Sequence, residues 1–293
     1  MIKFLINGTR RAFGLHMPGR MVDVFLDDTF LVSYPKSGNT WIRFLIANLK
    51  YPEKHPDFTN INGLVPDYEA HSKRSLNRLP RPRTLKSHQY FDPRYRKVLY
   101  IVRDPRDVVL AEYHFGIKQR LHGEDYPLAH YVSRFLANDT GHAYGSWFDH
   151  VASWYFTRRD DSGFLLVRYE SLHSQPLIEM ARIAGFLGAP TDPQRLNFAI
   201  EQSTGARMRE LEKKQMHEFS STKDTRPDLS YVRVAKAGGW RTNLPKDCVA
   251  SIESAWGSLM KDMGYELSAP TRPRIDAHPG LPAATAPITP VIV

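Results

Sequence analysis

Cysteine is almost absent: the 293-residue chain holds one, Cys248. A single thiol excludes an internal disulfide framework and a cysteine-based metal cluster, and it suits a reducing, cytoplasmic setting. Long apolar runs are missing too. No stretch approaches the roughly 20 residues of a membrane span, and the mean hydropathy of −0.44 is that of a soluble chain. The apolar part of the first eleven residues is too short for a secretory signal, so residues 1–20 read as a basic arm, with weak membrane-surface contact as the second option. The histidines between 113 and 145 do not stand at metal-ligand spacing, and no metal is expected. No internal repeat is present.

What is present is positive charge and apolar mass. Lysine and arginine number 40 against 31 acidic residues, a net charge of +9. That balance favours a polyanionic ligand: nucleic acid, an anionic membrane surface or a multiply charged nucleotide. An apolar content of 42% is ample for one large α/β domain without staples.

Residues 28–49 organise the chain. Phe30, Leu31 and Val32 make a short apolar run suited to a buried parallel strand, which Pro35 ends. From Trp41 onward, Ile42, Leu45, Ile46 and Leu49 recur at the helical period. The turn between them, Lys36-Ser37-Gly38-Asn39-Thr40, delivers backbone N–H groups and a positive dipole end to its opening. Lys36 adds a charge, and Ser37, Asn39 and Thr40 add donors, so an oxyanion is the expected guest. A Walker A loop needs an earlier glycine and carries its lysine after the second one; here Lys36 precedes Gly38.

Further cationic and basic side chains follow. In Thr84-Leu85-Lys86-Ser87-His88, an extended backbone puts Lys86 and His88 on one side. A histidine can take a proton from a hydroxyl while a neighbouring lysine neutralises charge on a transferring group. Residues 97–102 read as a buried strand running into Arg103-Asp104-Pro105-Arg106-Asp107 and a helix, the place where open α/β sheets bind ligands. A third strand spans 164–170. Helices are expected over 178–187 and 244–265, a mobile polar and aromatic acceptor-side segment over 113–145, and a polar loop over 213–228.

Tyr34-Pro35-Lys36-Ser37-Gly38-Asn39-Thr40-Trp41 resembles the 5′-phosphosulfate loop of sulfotransferases that use 3′-phosphoadenosine 5′-phosphosulfate (PAPS). Val102-Arg103-Asp104-Pro105-Arg106-Asp107 resembles the same family's 3′-phosphate motif, and Lys86 and His88 match its Lys-x-His. Arg168-Tyr169-Glu170 and Arg233 to Trp240 resemble two later motifs, and Gly145 to Trp154 resembles a helix that the family places in its core, which implies packing roles for its tryptophans and His150. The resemblance, over about 28–265, implies an α/β fold with a central parallel sheet flanked by helices in a P-loop-kinase-like sulfotransferase arrangement. It implies His88, Lys36 and Lys86 as catalytic residues. For the nucleotide it implies Lys36, Ser37, Gly38, Asn39, Thr40, Trp41, Arg103, Tyr169, Ser203, Arg233 and Gly238.

The sequence departs from the family pattern at Ala111, where a serine is usual, at Gly205, where an aromatic is usual, and at Val234 and Ala235 in place of Lys-Gly. Without the aromatic at 205, Trp41 and Tyr169 are left to hold the adenine between them. Domain boundaries follow: arm 1–20, sulfotransferase domain 21–267 and a Pro/Ala-rich disordered tail 268–293. The expected function is sulfuryl transfer from PAPS, with adenosine 3′,5′-bisphosphate (PAP) as product, to a hydroxyl of a small phenol, alcohol, sugar or lipid. The partners are thus a nucleotide donor and a hydroxylated acceptor. The alternatives are a P-loop-type nucleotide kinase, which needs the Walker order, and a basic nucleotide- or nucleic-acid-binding protein without transferase activity. Cations at separate strand ends do not form the single face that nucleic acid needs. No dimer motif is matched.

Overall fold

Four strands form one parallel sheet in the computed structural model, which describes residues 23–141, 143–219, 221–233 and 236–268. The arm, His142, Val234, Ala235 and all of the expected tail except Ser268 lie outside them. Strands β1 (Thr29–Ser33), β2 (Thr84–Ser87), β3 (Lys97–Val102) and β4 (Phe164–Arg168) are ordered β2-β1-β3-β4. Leu31 pairs with Lys86 on one side and Leu99 on the other.

Both faces of this sheet are covered, which is why its strands read as continuous apolar runs. Phe30 and Val32 enter a core with Tyr95, Tyr100 and Trp154. Leu31, pointing the other way, meets Ile42, Leu45 and Ile101. Because all strands run parallel, their carboxyl ends share one edge, and the segments after Ser33, Ser87, Val102 and Arg168 converge there.

Helix α1 (Asn39–Lys50) follows β1 directly. Helix α2 (Pro105–Lys118) starts where Asp104 accepts from the Arg106 N–H at 3.0 Å and Pro105 takes the first turn. Helix α3 (Leu128–Leu136) corrects the mobile segment expected over 113–145: Tyr113, Ile117, Tyr131, Val132 and Phe135 are buried and pack it down. Helix α4 (Trp147–Arg158) opens with a capping box between Ser146 and Asp149.

Further helices cover the sheet: α5 (Tyr169–Ser174), which takes the last two residues of the expected third strand, α6 (Pro176–Leu187), α7 (Pro193–Gln202), α8 (Gly205–Gln215) and the short α9 (Trp240–Asn243). Helix α8 runs into the start of the loop expected from residue 213. The last, α10 (Lys246–Asp262), is held to the root of α2 by buried Arg106, which pairs with Asp104 at 2.6 Å and with Glu253 and lies 3.7 Å over Trp240. Breaking one arm of such a buried set leaves a charge unpaired, at about 3–5 kcal/mol. Among the described residues no helix is long and apolar enough to cross a membrane.

Candidate active site

The loop between β1 and α1 is set by two residues in left-handed conformations, Lys36 (φ 62°) and Gly38 (φ 93°). At Gly38 a second constraint coincides: a Cβ would stand 2.5 Å from the Tyr169 ring. Helix α1 has no side-chain cap and no acidic residue in its first turn, so its free N–H groups and dipole await an anion. The Ser37 hydroxyl and the Asn39 side-chain oxygen are buried without hydrogen-bond partners beside it. Asn39 donates to Ser33 Oγ at 3.1 Å, and the Thr40 and Tyr231 hydroxyls are 2.9 Å apart.

Lys36 does not point into open space. Its ammonium lies 3.5 Å from the Phe115 ring centre and 4.9 Å from that of Tyr231. Burial, joined by repulsion from Arg103 and Arg233, pulls its pKa down to about 7.

Arg103, at the end of β3, joins three segments. It donates to the carbonyls of Lys36 at 3.1 Å and Lys236 at 3.4 Å and stacks 4.4 Å over Tyr169. Asp107, one turn on, accepts from the N–H groups of Gly238 at 2.7 Å and Trp240 at 2.9 Å. Its charged neighbour is Arg103 at 3.9 Å, and burial raises its pKa despite that arginine. The 238–240 turn is thereby docked on α2.

The proposed adenine sandwich is corrected. Trp41 and Tyr169 touch edge to face at 5.4 Å and 74°, leaving no slot between them; His173 lies 4.5 Å from Trp41. Ser203 is fully buried: its hydroxyl accepts from Asn48 at 3.1 Å and its carbonyl accepts from the Trp41 indole at 2.9 Å. It is a support for Trp41.

On the other side, Lys86 forms a 2.7 Å ion pair with Asp67. Burial pushes the Asp67 carboxyl up, but Lys86 outweighs it and leaves the pKa lowered. His88 is fixed at every polar group but one. Its backbone N–H donates to Glu69 at 2.7 Å, and its carbonyl accepts from His150 Nε2 at 3.1 Å. Nδ1 lies 2.6 Å from the Ser33 carbonyl, which can only accept. The proton therefore sits on Nδ1, and Nε2 keeps a lone pair. Burial and the charge of Lys86 hold the pKa well below the ordinary value, so the ring is neutral at pH 7. His150, read from sequence as packing, is fully buried and also meets the Tyr100 hydroxyl at 2.8 Å.

These groups surround one cavity of about 600 Å³, onto which Lys36, Lys86, His88, Arg103, Tyr169 and Arg233 face. Gly38, Asn39, Thr40 and Trp41 line it as well, whereas Ser37, Gly238 and Ser203 do not. Asp107 also lines it and was not singled out from sequence for the site; Phe115 and Tyr144, which line it too, fall in the segment expected on the acceptor side. Asp107 was readable as an acid in the first turn of a helix at a cationic strand end; Glu69 and Asp67 carry no local signal. Among the described residues no group of three or more His, Cys, Asp or Glu could hold a metal ion.

A parallel sheet whose carboxyl edge carries an uncapped helix start, an arginine and a lysine defines an α/β protein built to hold a polyanion. Residues 26–264 match the sulfotransferase domain family, and the chain belongs to that family. It is 30% identical to human Sulfotransferase 2B1 over 262 residues, 82% of this chain and 68% of that protein. Dog Sulfotransferase 1B1 is 27% identical over 231 residues, 73% of this chain and 77% of that one. Among solved structures, mouse sulfotransferase SULT7A1 complexed with PAP superposes with a TM-score of 0.68 at 24% identity, covering 83% of this chain and 87% of that one. Retinol dehydratase in a complex with retinol and PAP gives 0.65 at 20% identity, covering 84% of each. At those identities the likeness speaks for the fold, the P-loop-kinase-like fold of sulfotransferases.

Proposed function

We propose that this protein is a PAPS-dependent sulfotransferase that moves a sulfuryl group to a hydroxyl of a small acceptor, in the cytoplasm. The observation that carries the reading is one cavity bounded by an uncapped anion loop and by a neutral histidine with a bare Nε2. The buried, unpartnered Ser37 and Asn39 oxygens and the free α1 N–H groups fit an anionic donor. In this reading the 5′-phosphosulfate lies on the loop at 36–41, and Arg103 and Arg233 serve the 3′-phosphate with the turn that Asp107 anchors. The adenine lies against the Trp41, Tyr169 and His173 surface instead of between two of its rings.

His88 Nε2 accepts the proton as the acceptor oxygen attacks sulfur and the bond from sulfur to the bridging phosphate oxygen breaks. Lys36 leaves Phe115 to neutralise the departing phosphate oxygen, and Lys86 exchanges Asp67 for the sulfuryl oxygens. The chemistry asks for in-line positioning and cations on spreading negative charge. Calorimetric titration with PAP, beside 5′-AMP and ATP with Mg²⁺, tests the donor site. Binding that requires the 3′-phosphate and no Mg²⁺ is the expected result; preference for ATP with Mg²⁺ overturns it and favours a kinase. Turnover of PAPS with a phenol, a primary alcohol and a sterol then sorts acceptors.

A further inference from the structure

Glu69 lies outside every motif and does not line the cavity, yet both of its carboxylate oxygens are committed to residues that do. One accepts from the backbone N–H of His88 at 2.7 Å and from Ser87 Oγ at 3.3 Å. The other accepts from the hydroxyl of Tyr144, a cavity residue 75 positions away. The Tyr144 ring stands 5.9 Å from the His88 imidazole. We propose that Glu69 is a positioning residue that joins the proton-accepting histidine and the aromatic wall beside it into one unit.

The physical reason is the position of His88. It stands just past the end of β2, where the strand ladder supplies no further partners. The N–H of such a residue needs a substitute acceptor in a part-buried place, and Glu69 is that acceptor. Once the backbone is fixed on one side by Glu69 and on the other by His150, the imidazole is aimed at the Ser33 carbonyl, which dictates the Nδ1–H tautomer. Tyr144 spends its hydroxyl on the same carboxylate. It therefore turns its ring, not its hydroxyl, to the cavity, and an acceptor with a flat apolar face meets that ring beside the imidazole. This inference rests on His88 acting as the base.

The test uses the full chain labelled with ¹⁵N-histidine, long-range ¹H–¹⁵N spectra of His88 at pH 7.5, and calorimetry with PAP. Wild type shows one protonated and one bare ring nitrogen. Glu69→Ala should bring the two nitrogen shifts together as the ring samples both tautomers, with PAP affinity unchanged. Glu69→Gln, which retains an oxygen for the His88 N–H, should restore the wild-type pattern. Unaltered His88 shifts in Glu69→Ala, or a Gln variant indistinguishable from the Ala variant, overturn the proposal. So does a parallel loss of PAP affinity in Glu69→Ala, since that marks a general loss of structure. A wild-type ring that is charged or bears its proton on Nε2 sinks the base reading itself, whatever Glu69 does.

Discussion

The loop after β1 and the strand end after β2 face each other across one cavity, and they are built by opposite means. Residues 34–41 turn by local means: Pro35 stops the strand, Lys36 and Gly38 turn left-handed, and α1 begins at once, with distant Arg103 clamping the Lys36 carbonyl at 3.1 Å. His88 takes its orientation from residues 19, 55 and 62 positions away, namely Glu69, Ser33 and His150. The loop offers backbone N–H groups, which hold an anion whatever it is attached to. The strand end offers a single lone pair aimed by a network. Anion holding can thus survive damage that removes base chemistry, and the reverse should hold as well.

Substitution at the two ends puts that separation to its hardest test. His88→Ala should lower sulfuryl transfer on the order of 10²- to 10⁴-fold, the range for loss of a general base, and leave PAP affinity unchanged. Arg103→Ala should act the other way, weakening PAP by roughly 1.5–3 kcal/mol, the range for a charge-assisted hydrogen bond. Equal losses of binding in both variants would erase the division of labour.

A smaller effect sharpens the picture of the loop. With a pKa of about 7 in the empty site, Lys36 is mostly neutral at pH 8. A bound anion favours the ammonium and raises that pKa, so PAP binding at pH 8 should take up close to one proton. The sign follows: affinity falls as pH rises from 7 towards 9, and uptake vanishes near pH 6, where the group is already charged. Calorimetry in buffers of different ionisation enthalpy reads the uptake. Its persistence in Lys36→Met would assign it elsewhere, with His114, whose pKa is pulled to about 4 by burial and Arg233, the next group to examine.

The same contrast explains what could be read in advance. The β1 loop, Arg103 and the parallel sheet were legible because their geometry is encoded within a few neighbouring residues. So was His88, by its spacing from Lys86. The partners that aim it were not: Glu69 lies in a Pro- and His-rich connection that reads as loop, and nothing nearby marks it as facing a strand end. Helix α3 was legible and missed: Tyr131, Val132 and Phe135 pack inward at helical spacing with Leu128 against them, but the stretch was read as one with its polar flanks. The adenine surface was misjudged because ring-to-ring contact between Trp41 and Tyr169 depends on how closely α5 approaches Gly38, a distance no motif states.

Asp107 extends the comparison to the donor side. Its two oxygens each hold one backbone N–H of the 238–240 turn, and Asn supplies one acceptor for two donors. Asp107→Asn should raise KM for PAPS severalfold, about 1 kcal/mol of lost hydrogen bonding, with kcat unchanged. A fall in kcat at constant KM would move Asp107 from donor anchoring to the chemical step.

Ser203 should give the smallest effect of all. The resemblance assigns it to the nucleotide, whereas the fold gives its hydroxyl to Asn48 and its carbonyl to the Trp41 indole. Ser203→Ala keeps the carbonyl, so Trp41 stays supported. Asn48 loses one partner but still donates to the Phe44 carbonyl at 3.1 Å. The variant should therefore lose about 1 kcal/mol of stability or less in denaturant unfolding, with PAP affinity unchanged. If PAP instead bound markedly weaker while stability held, the hydroxyl would be a ligand contact, and the site would have to open toward α7 on binding. That outcome would make the donor side, too, a place whose final geometry is set by distant residues, and the contrast between the two ends would narrow to the loop alone.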